Sequence, residues 1–393
     1  MAAHIVARWL LLVVVLGGGA GILVQHATDT GLAAPLRTIA LQQARPYRVL
    51  VDPRAGRAFV TDGVGSVEML DTADGHLLRH IQGLQTIAIS SRSGHLFVVA
   101  PAHLGNGSVA QMVDSRSGAL LRTIPFGGQI VGGTVDEHAG LVVVLSLGLP
   151  GRAGTATTLD AQTGAPLRRT TVGRNPWGAV ADERTGRIFV ADRDSGTVSV
   201  LASRSGVLLG TTAIGQNPRA LAVDTSTARV FVAALGPVFA SGYGRGGINV
   251  LDARTGKPVG RTPLGPEVGA LAVDARTSHV FVVVNPGAVA MLDARTGTLI
   301  RMIHVGGRLF ALAVDAHTGR LFASGVQDSG RIGPVTIRAG RGVFTVLETT
   351  RGDTLCTIGV GSTPVSLAVD ELRGYAFVTN QGDSSVAMLD AAR

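Results

Sequence analysis

The strongest constraint on this chain is a short pattern, built around an aspartate and a phenylalanine, that recurs along almost its whole length. The pattern reads roughly Ala-Val-Asp, a short turn segment with Thr-Gly, and then Phe-Val. The aspartate, or the residue in its place, recurs every 38 to 55 residues, at Asp52, Ser90, Asp136, Asp182, Asp224, Asp274, Asp315 and Asp370. Seven residues later comes Phe59, Phe97, Val143, Phe189, Phe231, Phe281, Phe322 or Phe377. Self-similarity at this period indicates a repeat architecture.

A second pattern, Leu-Asp-x-x-Thr-Gly and then an apolar segment, follows the first in each unit. Its aspartate position is occupied by Asp71, Asp114, Asp160, Ala202, Asp252, Asp293, Glu348 and Asp390. Each unit therefore reads as four short strands, rich in β-branched residues and separated by turns. We predict an all-β fold, a β-propeller of four-stranded antiparallel blades. The markers predict eight blades, or seven if the second or third unit is incomplete, with the recurring Phe between blades.

The two ends of the repeated region complement each other. It begins with an isolated fourth-strand pattern, PLRTIAL (35–41), and it ends with three strands, the last within VAMLDAAR (386–393). We therefore predict that the N-terminal strand completes the last blade and closes the ring without a covalent link, which protects the sheet edges. Residues 35–393 then form a single β-propeller domain.

The Asp-x-x-x-Gly segments are predicted to be tight turns rather than sites. The Asp side chain accepts hydrogen bonds from N–H groups two or three residues on, and Gly adopts a positive φ without strain. Repeated calcium sites are the alternative, although they require more oxygen ligands. These turns join the first strand to the second and the third to the fourth, so they lie on one face, here called the scaffold face. The opposite, long-loop face carries the long segments 100–108, 146–155, 234–247 and 323–342, and we expect binding there.

Aromatic and basic residues of the long-loop face are the candidate ligand- or partner-binding residues: Trp177, Arg193, Tyr243, Arg245, Arg331 and Arg338. Trp177 opens an inner strand, so it belongs either to a recognition surface or to the packing at the channel mouth. We predict no catalytic residue, no metal site and no cofactor. The ten histidines form no HExxH motif or close pair, no GxSxG motif is present, and a single cysteine excludes intrachain disulfides and Cys-based metal sites.

The N-terminal segment is strongly apolar. Arg8 precedes an uninterrupted apolar run from Trp9 to Val24, which as a helix would span about 24 Å. Residues 1–24 are therefore expected to be a signal peptide or a membrane anchor, with residues 25–34 as a linker. Poor cleavage sites favour an anchor through residues 5–24, and the charge bias places the body outside the cytoplasm. Secretion after signal cleavage is the alternative.

The charge of the chain indicates which classes of partner it could bind. The net charge of +8 permits anionic partners, but no dense Lys/Arg run with aromatics is present, so nucleic acid is not expected. The linker would enter on the scaffold face, where arginines occupy the third turn position. Arg54, Arg184, Arg254 and Arg295 are therefore candidate membrane-facing residues, with ordinary solvated arginines as the alternative.

Several motifs resemble the YVTN β-propeller repeat family: FVTN (377–380), FVTD (59–62), the VLDARTG hairpins and the VGRNP and IGQNP connectors. The resemblance covers about Leu36 to Arg393, and it implies a propeller fold and a secreted or surface location. We predict a monomeric, extracytoplasmic binding or interaction module without catalysis of its own, for an unknown protein or an anionic polymer or ligand. The alternative is a propeller enzyme with lactonase- or lyase-like hydrolytic or elimination chemistry at the channel mouth.

Overall fold

The structure is a computed structural model that describes residues 35–41, 45–62, 65–83, 85–100, 108–235, 238–239, 242–243, 246–265, 267–327 and 341–391. The predicted signal or anchor segment (1–24) and the linker (25–34) lie outside these residues. Within the described ranges, no helix has the length and apolar character that a membrane crossing needs.

The described chain forms eight four-stranded antiparallel sheets, which are the blades. Blade 1 contains β2 (Arg48–Asp52), β3 (Arg57–Thr61), β4 (Ser66–Asp71) and β5 (Leu77–Gln82). Blade 2 contains β6 (Gln85–Ser90), β7 (His95–Ala100), β8 (Val109–Asp114) and β9 (Leu120–Pro125). Blade 3 contains β10 (Ile130–Asp136), β11 (Leu141–Ser146), β12 (Thr155–Asp160) and β13 (Pro166–Thr171). Blade 4 contains β14 (Pro176–Asp182), β15 (Arg187–Asp192), β16 (Thr197–Ala202) and β17 (Leu208–Ala213).

The second half of the ring repeats this order. Blade 5 contains β18 (Pro218–Asp224), β19 (Arg229–Ala234), β22 (Gly246–Asp252) and β23 (Pro258–Gly265), and its long loop carries the short strands β20 (Val238–Phe239) and β21 (Gly242–Tyr243). Blade 6 contains β24 (Glu267–Asp274), β25 (His279–Asn285), β26 (Ala288–Asp293) and β27 (Leu299–His304). Blade 7 contains β28 (Arg308–Asp315), β29 (Arg320–Val326), β30 (Gly342–Glu348) and β31 (Thr354–Gly359).

Blade 8 is assembled from both ends of the chain: β32 (Pro364–Asp370), β33 (Tyr375–Asn380), β34 (Ser385–Asp390) and β1 (Arg37–Ala40). β1 runs antiparallel to β34, with Arg37 opposite Met388 and Ile39 opposite Val386. The first strand of each blade contacts the first strand of the next, and β32 contacts β2, which closes the ring. The predictions of eight blades and of an N-terminal closing strand are confirmed. The strands of the ring that the structure describes lie between Arg37 and Asp390.

The repeated phenylalanines lie in the packing between blades, as predicted. All seven are fully buried, and Val143 takes the same position in blade 3. Phe281 of blade 6, for example, belongs to a cluster that includes Leu309 and Leu321 of blade 7. At seven of the eight blade interfaces an aromatic side chain thus removes a large apolar area from water, which helps to hold the ring together.

The aspartate turns have the predicted geometry. Oδ1 of Asp52 accepts hydrogen bonds from the N–H groups of Arg54 and Ala55, and Gly56 has a φ of 69°. The first-turn aspartates also join blades, because the Ser115 hydroxyl of blade 2 donates to Asp52 Oδ2 of blade 1 at 2.8 Å. These carboxylates are therefore structural parts of the scaffold face.

Candidate functional site

The candidate site begins at a bulge in the innermost strand of blade 4. Pro176 pairs with Asp192 and Gly178 pairs with Ala191, so Trp177 is an extra residue without a partner. A bulge interrupts the ladder and redirects the side chain of its extra residue. Trp177 is 49% exposed on the long-loop face, whereas the recurrent phenylalanines are fully buried. Of the two positions expected for Trp177, the structure thus shows the exposed one.

The connector that leads to Trp177 is fastened to the loop between the second and third strands of the same blade. The N–H groups of Arg193 and Asp194 donate to the carbonyls of Asn175 and Arg174. In return, the Arg174 N–H donates to the Ser195 hydroxyl at 2.7 Å, and the Asn175 side chain donates to Asp194 Oδ1 at 3.0 Å. Asn175 adopts a φ of 52°, a conformation that Asn tolerates better than most residues. The two segments therefore form one fixed ledge.

Arg193 connects this ledge to the next blade. Its Nε donates to Oδ1 of Asn217, in the connector of blade 5, at 2.6 Å. Its guanidinium carbon lies 5.1 Å from the centroid of the Trp177 ring, which is a cation–π distance. In the described part of the chain, no hydrogen bond occupies Nη1 or Nη2 of Arg193. These two nitrogens can therefore donate to a ligand while Nε and the ring hold the side chain in place.

An open cavity of about 520 Å³ lies beside Arg193, and it is lined by Arg193, Asp194, Ser195, Gly196, Gln216 and Asn217. Arg219 follows this segment in the chain and is exposed. It is the unpaired residue of the corresponding bulge in β18, where Pro218 pairs with Ala234 and Ala220 pairs with Ala233. Sequence reasoning did not select Asn217 or Arg219. The shared Asn-Pro-x pattern, Asn175 to Trp177 and Asn217 to Arg219, is the signal that would have found both.

A buried carboxyl group lies directly under the ledge. Asp192 is fully buried, and its Oδ2 accepts hydrogen bonds from the hydroxyls of Ser199 at 2.7 Å and Thr197 at 3.1 Å. Burial raises the pKa of the Asp192 carboxyl to about 6, although the two hydroxyls act in the opposite direction. The connector passes so close that a Cβ on Gly173 would lie 2.4 Å from Cβ of Asp192. Asp192 thus supports the ledge from below.

The two carboxyl groups near the ledge have different surroundings. Asp192 has the raised pKa that a general acid requires, but its side chain is enclosed. The carboxylate that lines the cavity, Asp194, already accepts a hydrogen bond from Asn175. Across the residues that the structure describes, no group of three or more His, Cys, Asp or Glu side chains could hold a metal ion. The site offers a stacking surface and positive charge.

The four other candidate binding residues lie wholly or partly outside the residues that the structure describes. Arg245, Arg331 and Arg338 lie outside the described residues. Tyr243 belongs to the short strand β21, which pairs with β20, and its side chain is likewise outside the description. The structure therefore brings together Trp177 and Arg193 from the predicted set.

The candidate membrane-facing arginines divide into two kinds. Arg184 Nη1 donates to the carbonyls of Thr225 and Ser226 in the next blade, at 2.8 and 3.1 Å. Arg54, Arg254 and Arg295 are exposed, and within the described ranges their guanidinium groups make no hydrogen bond or ion pair. Arg184 thus helps to join two blades, whereas the other three are free to meet a partner.

Comparison with known proteins identifies the class of fold. No protein-family model matches the chain, and no curated protein matches its sequence. Sqt1 from Saccharomyces cerevisiae has a similar structure, with a TM-score of 0.71 at 10% identity, over 92% of this chain and 100% of that one. The computationally designed protein Ika8 gives a TM-score of 0.69 at 18% identity, over 91% of this chain and 100% of that one. BamB from Moraxella catarrhalis gives 0.62 at 14% identity, over 90% and 98%.

These likenesses, at such low identities, concern the fold alone. Together with the eight closed blades, they make the chain a β-propeller repeat protein. A propeller fold is consistent with a binding or interaction module, and fold by itself does not define a ligand.

Proposed function

We propose that this protein is an extracytoplasmic binding module that recognises an acidic polysaccharide through the ledge at Trp177 and Arg193. The observation that carries the proposal is the stacked pair itself: an exposed indole ring under a guanidinium group whose two Nη atoms are free, at the edge of an open cavity. The flat apolar face of a pyranose ring packs well on an exposed indole, and arginine binds carboxylates with two parallel hydrogen bonds.

The local charge supports an anionic ligand. Arg174 and Arg219 are exposed on the same face as Arg193. The Asp194 carboxylate, which would repel an anion, is turned to the Asn175 amide. A polymer with a carboxylate on each sugar ring would meet a row of cations beside a stacking surface, which gives both attraction and orientation.

The membrane anchor at residues 5–24, the monomeric state and membership of the YVTN-type propellers belong to the same proposal. The apolar run from Trp9 to Val24 supports the anchor. Two motifs support the membership. Phe-Val-Thr-Asn (377–380) ends the second strand of blade 8, and the two Asn-Pro connectors lead into the first strands of blades 4 and 5.

The test uses the fluorescence of Trp177. The chain has two tryptophans, so a Trp9→Phe variant of the full chain reports on Trp177 alone. We expect polygalacturonate to change its emission in a saturable way, and neutral dextran to leave it unchanged. Arg193→Ala should weaken binding at least about tenfold, because it removes charge-assisted hydrogen bonds. The matched control is Arg116→Ala, an exposed arginine of the scaffold face.

Two results would contradict the proposal: an emission that polygalacturonate does not change, and equal binding by the Arg193→Ala and Arg116→Ala variants. Release of smaller sugars during the titration would instead favour the alternative of lyase- or hydrolase-like chemistry. That outcome is followed by measuring new reducing ends in the same samples.

A further inference from the structure

The outer strand of every blade carries an exposed aliphatic side chain next to the scaffold face. In seven blades this residue is the unpaired position of a β-bulge just after the turn; in blade 1, for example, Leu70 pairs with Leu77 and Met69 with Arg79. In blade 8 it precedes Arg37, which pairs with Met388. The eight residues, here called the aliphatic rim, are 44 to 56% exposed: Leu36, Leu78, Leu121, Leu167, Leu209, Val259, Ile300 and Leu355.

Exposed aliphatic residues are ordinary when they are scattered singly over a surface. Here they occupy one register in eight equivalent strands, so they form a band at a single height around the ring. Residues a short way further along these strands, such as Ile81 and Ile303, are buried, so the strands have an inner apolar side as well. A recurrent exposed apolar surface of this kind marks an interaction site rather than core packing.

Free cations lie at the same edge. Arg204, Arg254 and Arg295, here called the basic arc, occupy the tips of the third-to-fourth turns of three successive blades, and all are exposed. No hydrogen bond or ion pair engages their guanidinium groups within the described residues. Three arginines of the first-to-second turns, Arg92, Arg184 and Arg276, behave differently from Arg54 of blade 1: Arg92, for example, donates to the carbonyl of Glu137 in the next blade at 3.1 Å. The basic arc is therefore not needed to join blades.

The acidic groups of these turns are held mainly by the turn backbone. Oδ1 of Asp252 accepts the N–H groups of Arg254 and Thr255, and Oδ1 of Asp293 accepts those of Arg295 and Thr296. The remaining oxygen of Asp252 pairs with Arg229 at 2.9 Å. Asp252 is thus tied to the backbone and to Arg229, and the turn of Arg204 has Ala202 in place of the aspartate. Asp293 interacts electrostatically with Arg295, so Arg204 and Arg254 present most of the uncompensated positive charge of the arc.

We propose that the scaffold face docks on the surface of an anionic lipid bilayer, with the aliphatic rim in the headgroup region and the basic arc on lipid phosphates. Interfacial contacts combine apolar side chains inserted to headgroup depth with cations that attract anionic lipid. Because the aliphatic rim recurs in all eight blades, it presents similar side chains in every direction around the ring. A flat bilayer surface, which is the same in every direction, matches this arrangement. The described chain also enters on this face, since the Arg37 guanidinium donates to the carbonyl of Asp74 in a blade 1 turn.

The surface is distinct from the ledge at Trp177, so the two proposals fail independently. The test uses residues 35–393, which contain every strand of the ring and omit the apolar N-terminal run. Flotation with phosphatidylcholine vesicles that contain phosphatidylglycerol should recover this protein, and pure phosphatidylcholine vesicles should recover much less. High salt should release it, because screening weakens the contacts of exposed cations.

Three sets of variants separate the parts of the surface. Arg204→Glu, Arg254→Glu and Arg295→Glu together should weaken binding at least about a hundredfold, since each cation near such a surface contributes several-fold. Leu209→Ser, Val259→Ser and Ile300→Ser together should weaken it at least about tenfold with charge unchanged. The matched control is Arg45→Glu, Arg152→Glu and Arg341→Glu, the same change of charge at exposed arginines of the long-loop face. Circular dichroism verifies that each variant is folded.

The control set should keep near-original binding at physiological salt, because its charges lie on the face away from the lipid. An equal loss in the control set would mean that net charge alone drives binding, and the proposal would be wrong. Full binding by the serine set would show that the aliphatic rim does not contact lipid, which also overturns it. A protein that binds neither kind of vesicle would also overturn the proposal.

Discussion

The two faces of this ring use the same kinds of residue for different ends. On the scaffold face, Asp and Gly recur at one spacing. The Asp side chains form hydrogen bonds within the turns and between blades, and the Gly residues provide the positive φ that the turns require. On the long-loop face, the corresponding segments differ from blade to blade, and one of them leaves Trp177 and Arg193 available. On the scaffold face, the repeated turns use most of their polar groups in hydrogen bonds within the protein. On the long-loop face, the loops differ between blades, and some of their polar groups remain free for a ligand.

The largest expected effect is on the free energy of unfolding, and it is tested by replacing two glycines that have the same backbone conformation, one on each face. Gly297 on the scaffold face has a φ of 74°, and a Cβ there would lie 2.4 Å from Val250 Cγ2; Gly151 on the long-loop face has a φ of 75°, and a Cβ there would meet nothing within 4 Å. Gly151→Ala should lower the free energy of unfolding by about 1 to 2 kcal/mol through backbone strain. Gly297→Ala should cost about 1 to 3 kcal/mol more through overpacking.

Denaturant unfolding of both variants measures this difference. Equal losses in the two variants would mean that the scaffold face is no more tightly packed than the loops, which would remove the distinction between the faces.

The next effect is a pH dependence that differs in sign between the faces. Burial raises the pKa of Asp192, under the ledge, from its ordinary value of 3.8 to about 6. The folded state therefore holds this proton more tightly, so the contribution of Asp192 is fully present below about pH 4 and is lost as the pH rises through 6. The loss amounts to up to about 3 kcal/mol. Asp192→Asn should flatten the decline in stability between about pH 4 and 6, as thermal unfolding across that range would show.

On the scaffold face the direction is opposite. The Thr163 hydroxyl holds the pKa of the Asp160 carboxyl below its usual value, so its contribution is present above the ordinary pKa and is lost as the pH falls. Asp160→Asn should therefore be less stable than the original protein near pH 6, and the difference should shrink as the pH falls into the acid range. A difference that grew in acid instead would contradict this assignment.

The smallest effect on stability is expected at two arginines, one on each face. Arg184→Ala loses exposed bonds to the Thr225 and Ser226 carbonyls, and Arg193→Ala loses the contacts with Trp177 and Asn217. Each should lower the free energy of unfolding by less than about 1 kcal/mol. Trp177 emission in the Trp9→Phe background should change for Arg193→Ala and stay constant for Arg184→Ala. A large destabilisation by Arg193→Ala would identify Arg193 as part of the scaffold rather than of a binding site.

The fold could be predicted because its determinants are periodic. Asp at a turn and Phe seven residues later recur in nearly every blade, and strand order, blade number and ring closure follow from counting them. The site could be predicted only in part, because it depends on departures from periodicity. Arg193 and Asn217 meet across a blade boundary, and a bulge exposes Trp177.

The aliphatic rim could not be predicted from the sequence either, because it too depends on a departure from the regular strand pattern. Adjacent leucines such as Leu208 and Leu209 resemble an ordinary buried strand. The register shift between Val200 and Leu201 of the neighbouring strand leaves Leu209 unpaired, and a pattern of alternating residues does not reveal such a shift.

The closing strand has a consequence for how the protein is made. The ribosome releases β1 before all other described strands of the ring, and its partner β34 after all of them, so blade 8 cannot be completed until the other strands of the ring have been made. A product that terminates before Ser385 keeps β1 without its partner and lacks the third strand of blade 8. Such a product is not a smaller propeller but an open arc with unpaired edges, which are prone to aggregation and proteolysis.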